Sequence, residues 1–172
     1  MTNFKSLLAS ACILLSACST TPPPTENTYV APVYETYVQV GQQLPLKEVT
    51  SINNETINLH EQGKRKLVIF FATWCSDSQR TIKTLLASPL MAEKNLTLVG
   101  IGREENKERL ENFANHYQVN FPLVTDEKRE LYSQFANAGI PRLIVVDENN
   151  NIVQTLIGED PNTIEKILWP SE

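Results

Sequence analysis

The chain has 172 residues, a formal net charge of -5 and 41% hydrophobic residues, enough for one globular domain with a packed core plus some non-globular sequence. The balance is mildly acidic and no block of Lys and Arg stands out, which excludes the phosphate-neutralising stripe that nucleic-acid binding needs. The charges are spread along the chain, as on a solvated surface.

At the amino end, Lys5 supplies a short positive stretch, and Leu7 to Leu15 is an apolar run of nine residues. Such a run is too short to span a bilayer as a helix but suits the core of a signal sequence. It ends in Leu15-Ser16-Ala17-Cys18, which resembles the bacterial lipobox. The resemblance implies that residues 1–17 are a lipoprotein signal peptide and that Cys18 becomes a diacylated amino terminus. The alternative is an ordinary secretory signal with Cys18 unmodified. Ser19, where an inner-membrane signal would have Asp, implies a lipid anchor in the outer membrane of the bacterial cell envelope, facing the periplasm. Cys12 then leaves with the signal and Cys18 is capped, so Cys75 is the free thiol in a compartment that favours paired cysteines.

Residues 18–40 read as a Pro-rich tether, with Pro22, Pro23, Pro24 and Pro32 favouring extended backbone. Tyr29, Val30, Val33, Tyr34, Tyr37 and Val38 are less linker-like, suited to an extension packed on the domain. Residues 41–172 form the domain. Leu46–Thr50 and Glu55–Leu59 are expected as a hairpin turning at Asn53-Asn54. Lys66–Ala72 is a continuous apolar run, as in a central parallel strand. Ser76–Ala87 has a helical apolar face in Ile82, Leu85 and Leu86. Leu96–Ile101 is a second buried strand, and Asn106–Tyr117 a charged helix with Leu110, Phe113, Ala114 and Tyr117 on one face. Glu127–Ala136 is expected as a helix, Arg142–Val146 and Ile152–Ile157 as a hairpin, and Pro161–Trp169 as a closing helix. The alternation predicts an α/β domain: a central mixed sheet flanked by helices, with an N-terminal β-hairpin.

The strand Lys66–Ala72 runs through Thr73 and Trp74 into Cys75 at a helix start. Unpaired backbone amides there stabilise negative charge and favour the thiolate, the nucleophilic form of cysteine. Ser78, three residues on, is placed to donate to the sulfur; Arg80 would assist the thiolate and Asp77 oppose it. The stretch Phe70-Phe71-Ala72-Thr73-Trp74-Cys75, the Gly139-Ile140-Pro141 step before Arg142–Asp147, the segment Tyr117–Pro122 and the closing hairpin together resemble the thioredoxin superfamily. Within it the chain looks most like the TlpA/ResA-like and redoxin/AhpC-TSA-like envelope members, over roughly residues 41–169. The resemblance implies a thioredoxin-like fold and a cis Ile140-Pro141 bond. It also implies a substrate groove formed by Trp74, Ile140 and Pro141 beside Cys75, and protein thiols or disulfides of the envelope as partners.

The sequence departs from that pattern in the motif itself. The family's Cys-x-x-Cys is here Cys75-Ser76-Asp77-Ser78, and the Glu many relatives carry six residues after the first cysteine is Thr81. Catalysis is therefore assigned to Cys75 and Ser78 as a monothiol disulfide oxidoreductase whose mixed disulfide waits for an outside thiol. The alternatives are a non-catalytic binding module on the same scaffold and a thiol peroxidase, although Ala72 stands where peroxiredoxins have Thr. His60 and His116 lack metal-ligand spacing, so no metal and no cofactor are expected. Trp74 is expected as a packing lid beside the sulfur, and Trp169 as core.

Overall fold

The computed structural model describes residues 34–169. The signal-peptide, lipobox and Pro22–Pro24 readings lie outside them. The domain is built on a five-stranded mixed sheet of order β5 (Leu123–Asp126), β4 (Leu96–Arg103), β3 (Arg65–Phe71), β6 (Arg142–Val146), β7 (Ile152–Ile157), with a separate two-stranded sheet from β1 (Glu48–Thr50) and β2 (Thr56–Asn58).

The hairpin strands β1 (Glu48–Thr50) and β2 (Thr56–Asn58) are shorter than expected. Leu46 and Leu59 flank them as buried core residues. The turn closes with Asn54 at φ 63° and with Ser51 Oγ accepting from the Asn53 and Glu55 amides. Strand β3 (Arg65–Phe71) is central, parallel to β4 (Leu96–Arg103) and antiparallel to β6 (Arg142–Val146). Residues Leu67 to Phe71 are all fully buried, each worth about 1.5–3 kcal/mol of apolar transfer. That is why this run carries no alternation. Strand β5 (Leu123–Asp126) pairs in parallel with β4, and β7 (Ile152–Ile157) closes the opposite edge on β6.

Helices α1 (Ser76–Leu86) and α2 (Lys107–Tyr117) lie on the same face. Both crossovers, β3-α1-β4 and β4-α2-β5, step the same way across the sheet, and right-handed connections then put both helices on one side. That face packs Leu67, Ile69 and Phe71 with Ile82, Leu85, Leu110 and Phe113. The other face packs Val68, Phe70 and Val99 with Leu46, Val49, Tyr132 and Phe135, so the hairpin and the 127–137 segment cover it.

Two expected helices are absent. Glu127–Ala136 contains only a 3-10 turn at Tyr132–Gln134. The buried Asp126 carboxylate accepts from the Leu131 and Tyr132 amides, and Arg129 is left-handed at φ 62°, which breaks helical progression before it starts. Pro161–Trp169 is likewise reduced to a 3-10 turn at Ile164–Lys166, because the Gln154 side chain caps the Lys166 carbonyl and the Leu168 amide. Trp169 is partly buried, as expected, donating from Nε1 to Val146 O beneath the Arg65 guanidinium.

The described residues before 41 pack on the domain. Thr36 bridges Ala136, Tyr37 N–H donates to Phe135 O, Arg142 donates to Thr36 Oγ1, and Val38 is buried. Residues 34–38 are thus a strap along the 135–142 loop.

Lys66 is fully buried at the amino end of β3. Its Nζ donates to Glu61 O at 2.6 Å and to Asn150 Oδ1, tying the turn before β3 to the β6–β7 turn. Burial pulls its pKa below 10.5, with Asp147, Glu61 and Glu148 opposing that pull. A lysine whose pKa falls on folding binds fewer protons folded than unfolded in the window below 10.5, so stability rises with pH there. Urea midpoints should therefore rise in the native chain relative to Lys66→Met as pH approaches 10.5; a pH-independent difference would contradict this.

Candidate active site

The carboxyl ends of β3, β4 and β5 gather Cys75, Glu105 and Asp126 on one edge of the sheet, where α/β sheets place their ligands. Cys75 is the N-cap residue of α1, with extended backbone at φ -83° and ψ 120°, so it stands at the positive end of the helix, although its side chain makes no capping hydrogen bond. Among the described residues it is the free cysteine, half-buried, and its Sγ lies 3.8 Å from Ile140 O. The Ile140-Pro141 peptide is cis.

Ser78 is placed differently from the sequence expectation. It is fully buried, and its Oγ accepts from the Ala72 amide at 3.3 Å. The Cys75 thiol donates to the Ile140 carbonyl rather than pairing with Ser78. Arg80 is also turned aside: its guanidinium donates to Asp77 at 2.5 Å and to the Gly158 and Glu159 carbonyls at 3.0 and 2.9 Å. The opposing charges at 77 and 80 are therefore paired with each other, and Arg80 works as a clamp on the end of β7. Thr81 is buried against the same carbonyl, its Oγ1 3.5 Å from Gly158 O.

Gly158 makes this packing possible. A Cβ there would clash with Pro141 Cγ at 2.4 Å and stand 2.8 Å from Thr81 Oγ1. On the opposite side of the proline loop the Tyr34 ring covers Gly139, which is left-handed at φ 91°, and Tyr34 OH donates to Glu159 at 2.9 Å.

Trp74 is 63% exposed, so it is not the packing lid the sequence suggested. It projects over an open groove of about 520 Å³ that lies between the Thr73-Trp74 turn, Gln79 and the Arg109–Tyr117 face of α2. His116 lines that groove, whereas His60 lies across the domain with Nε2 2.8 Å from Leu44 O.

The sequence reading missed Glu105, which is completely buried just beyond β4. Left-handed Glu104, at φ 61°, turns the chain so that Glu105 Oε1 accepts from Thr73 N and Thr73 Oγ1, both at 2.7 Å. Its Oε2 is buried without a hydrogen bond, 3.8 Å from the Arg109 guanidinium. Glu105 thus holds the turn that carries Trp74 and Cys75. A readable signal existed: Glu104 and Glu105 directly follow an apolar parallel strand, on the ligand edge of the sheet.

A mixed sheet with a half-buried cysteine at the N-cap of the helix after its central strand, facing the residue before a cis proline, defines a thioredoxin-like fold. The Redoxin family model matches residues 39–168, and the chain belongs to that family. It is 23% identical over 127 residues to the thiol-disulfide oxidoreductase ResA of Bacillus thuringiensis subsp. konkukian, covering 73% of each chain. It is 27% identical over 127 residues to the sporulation thiol-disulfide oxidoreductase A of Bacillus subtilis, covering 71% of this chain and 76% of that one. Among solved structures it superposes on the thioredoxin domain of a thiol-disulfide oxidoreductase from Bacteroides vulgatus with a TM-score of 0.60 at 23% identity, covering 75% of this chain and 97% of that one.

Proposed function

We propose that the chain is an envelope lipoprotein, anchored through Cys18, that exchanges disulfides through the single thiol of Cys75. The observation that carries the reading is the position of Sγ: at the N-cap of α1, half-buried, and 3.8 Å from the Ile140 carbonyl. The likeness to thiol-disulfide oxidoreductases and the Leu15-Ser16-Ala17-Cys18 motif support it.

In the first step the Cys75 thiolate attacks one sulfur of a protein disulfide. The Sγ–S bond forms, the substrate S–S bond breaks, and the departing sulfur leaves as a thiolate that takes a proton from solvent. The first-turn amides of α1 stabilise the Cys75 thiolate before attack and whenever it is the leaving group. Ser78, holding the Ala72 amide, fixes the strand-to-helix turn, while Trp74, Ile140 and Pro141 shape the groove that receives the substrate. With Ser78 in place of a second thiol, the mixed disulfide persists until an external thiol attacks it. That thiol frees Cys75, is itself carried into a disulfide, and so supplies the reducing electrons.

The test uses the full chain and a disulfide-bonded protein extract of the cell envelope. Adducts should appear on non-reducing gels, collapse when an external thiol is added, and be missing for Cys75→Ser. Incorporation of labelled fatty acid should be lost in Cys18→Ala. Absence of Cys75-dependent adducts would leave a binding domain on a thioredoxin scaffold, and undiminished labelling of Cys18→Ala would remove the anchor.

A further inference from the structure

The groove beside Trp74 carries a pattern that the exchange chemistry does not use. Its α2 wall presents Arg109, Asn112 and His116, and its α1 wall presents Gln79. Among the described residues the side chains of Arg109, Asn112 and His116 make no hydrogen bond. The Arg109 side chain is 62% exposed, and its one ion pair, to Glu105 Oε2, is long at 3.8 Å. Glu105 itself is fully buried, its Oε1 taken by Thr73 and its Oε2 covered from the groove side by the long Arg109 contact, so the group exposed to an entering chain is the guanidinium. Lys83 adds a second cation at the rim, 5.4 Å above the Tyr117 ring. The acidic residues of α2 lie elsewhere: neither Glu108 nor Glu111 lines the groove, and Glu111 faces a separate cleft beside Ile52 and Asn53. In a chain of net charge -5, this face is locally one of donors and cations set between the aromatic rings of Trp74 and Tyr117.

We infer that the groove receives an acidic peptide segment of the substrate protein, with Asp or Glu placed within a few residues of the cysteine that joins Cys75. The inference rests on the exchange reading above. Trp74 adjoins Cys75 in sequence, so a substrate strand that leaves the sulfur over Trp74 reaches Arg109 and Asn112 within about three residues at roughly 3.3 Å each. A carboxylate there accepts from the guanidinium fork and the amide, while the neighbouring backbone lies along the rings. Complementary charge of this kind acts mainly on encounter and partner choice, and salt screens it.

The experiment uses the full-length chain in detergent and matched peptides whose single cysteine carries a coloured aromatic thiol as leaving group. The peptides differ in having Glu, Gln or Lys flanking that cysteine, and an uncharged small disulfide serves as reference. At low salt the Glu peptide should react about tenfold faster than the Lys peptide. The ratio should fall to near one in Arg109→Gln, reverse in Arg109→Glu, and shrink at high salt, while the reference disulfide reacts equally with all variants. In parallel, a Glu peptide with its cysteine replaced by alanine should perturb indole fluorescence in the native chain and not in Arg109→Gln.

Equal rates for Glu and Lys peptides, with the reference reacting through Cys75, would overturn the groove assignment and leave the exchange function standing. A reference that reacts no faster than in Cys75→Ser, together with Arg109-dependent binding of the cysteine-free peptide, would overturn the exchange function and leave the groove. The absence of such binding would overturn the groove in either case.

Discussion

Ser78→Cys is expected to release a trapped substrate about a hundredfold faster than the native chain does in millimolar external thiol, because it converts a bimolecular resolution into an intramolecular one. The position is right for it. Ser78 lies in the first turn of α1, three residues beyond the N-cap Cys75. Helical geometry puts Cα atoms three residues apart at roughly 5 Å, inside the Cα range a disulfide can bridge. Ser78 is fully buried, so a thiol there would be shielded from other substrates and would meet only the Cys75 sulfur. The substitution weakens one interaction, the acceptor for the Ala72 amide, at a cost of about 1 kcal/mol. Rapid mixing of the preformed adduct with quench and non-reducing gels reads the release rate. Release no faster than native would mean that position 78 cannot reach the sulfur, and that the turn has been reshaped for another purpose.

Gly158→Ala is the second large effect. The added methyl would stand 2.4 Å from Pro141 Cγ and 2.8 Å from Thr81 Oγ1, and neither neighbour is the free end of a flexible side chain. Gly158 is not among the positive-φ residues, so alanine meets no backbone penalty there and the consequence is steric. Overpacking of this kind costs about 1–3 kcal/mol. Relief comes by moving the proline loop away from α1, which also moves the Ile140 carbonyl away from Sγ. Thermal unfolding should shift down by several degrees, and the rate of Cys75 exchange should drop about tenfold while the variant remains folded by circular dichroism. An unchanged exchange rate in a folded variant would show that the proline loop does not contribute to the site.

The strand into Cys75 was legible because Lys66–Ala72 is an unbroken apolar run followed by polar residues and a helical face, a pattern with few structural solutions. The closing hairpin was legible from its turn, where Asp147 collects the Asn149 and Asn151 amides. What was hidden follows from side-chain direction and tertiary capture. Leu131 and Phe135 have helical spacing, yet the Asp126 carboxylate takes the amides such a helix would need. Strand β5 is only four residues, too short a run to stand out in the sequence. Arg80 and Ser78 were correctly placed beside Cys75 in sequence. Their hydrogen bonds run instead to Gly158, Glu159 and Ala72, groups that only the folded chain brings near. Glu105 was one acidic residue among 20 until left-handed Glu104 turned it inward.

The strap at residues 34–38 sets a distance. Tyr34 packs against Gly139, one residue before Ile140, so the first described residue lies beside the thiol site. Between Cys18 and Tyr34 lie sixteen residue steps, about 55 Å at full extension. With a lipid on Cys18 as proposed, that leash confines the reactive sulfur to a shallow layer over one membrane leaflet. The layer acts as a ruler: disulfides held near the bilayer are met repeatedly at raised local concentration, and those presented farther out are never met, whatever their chemistry.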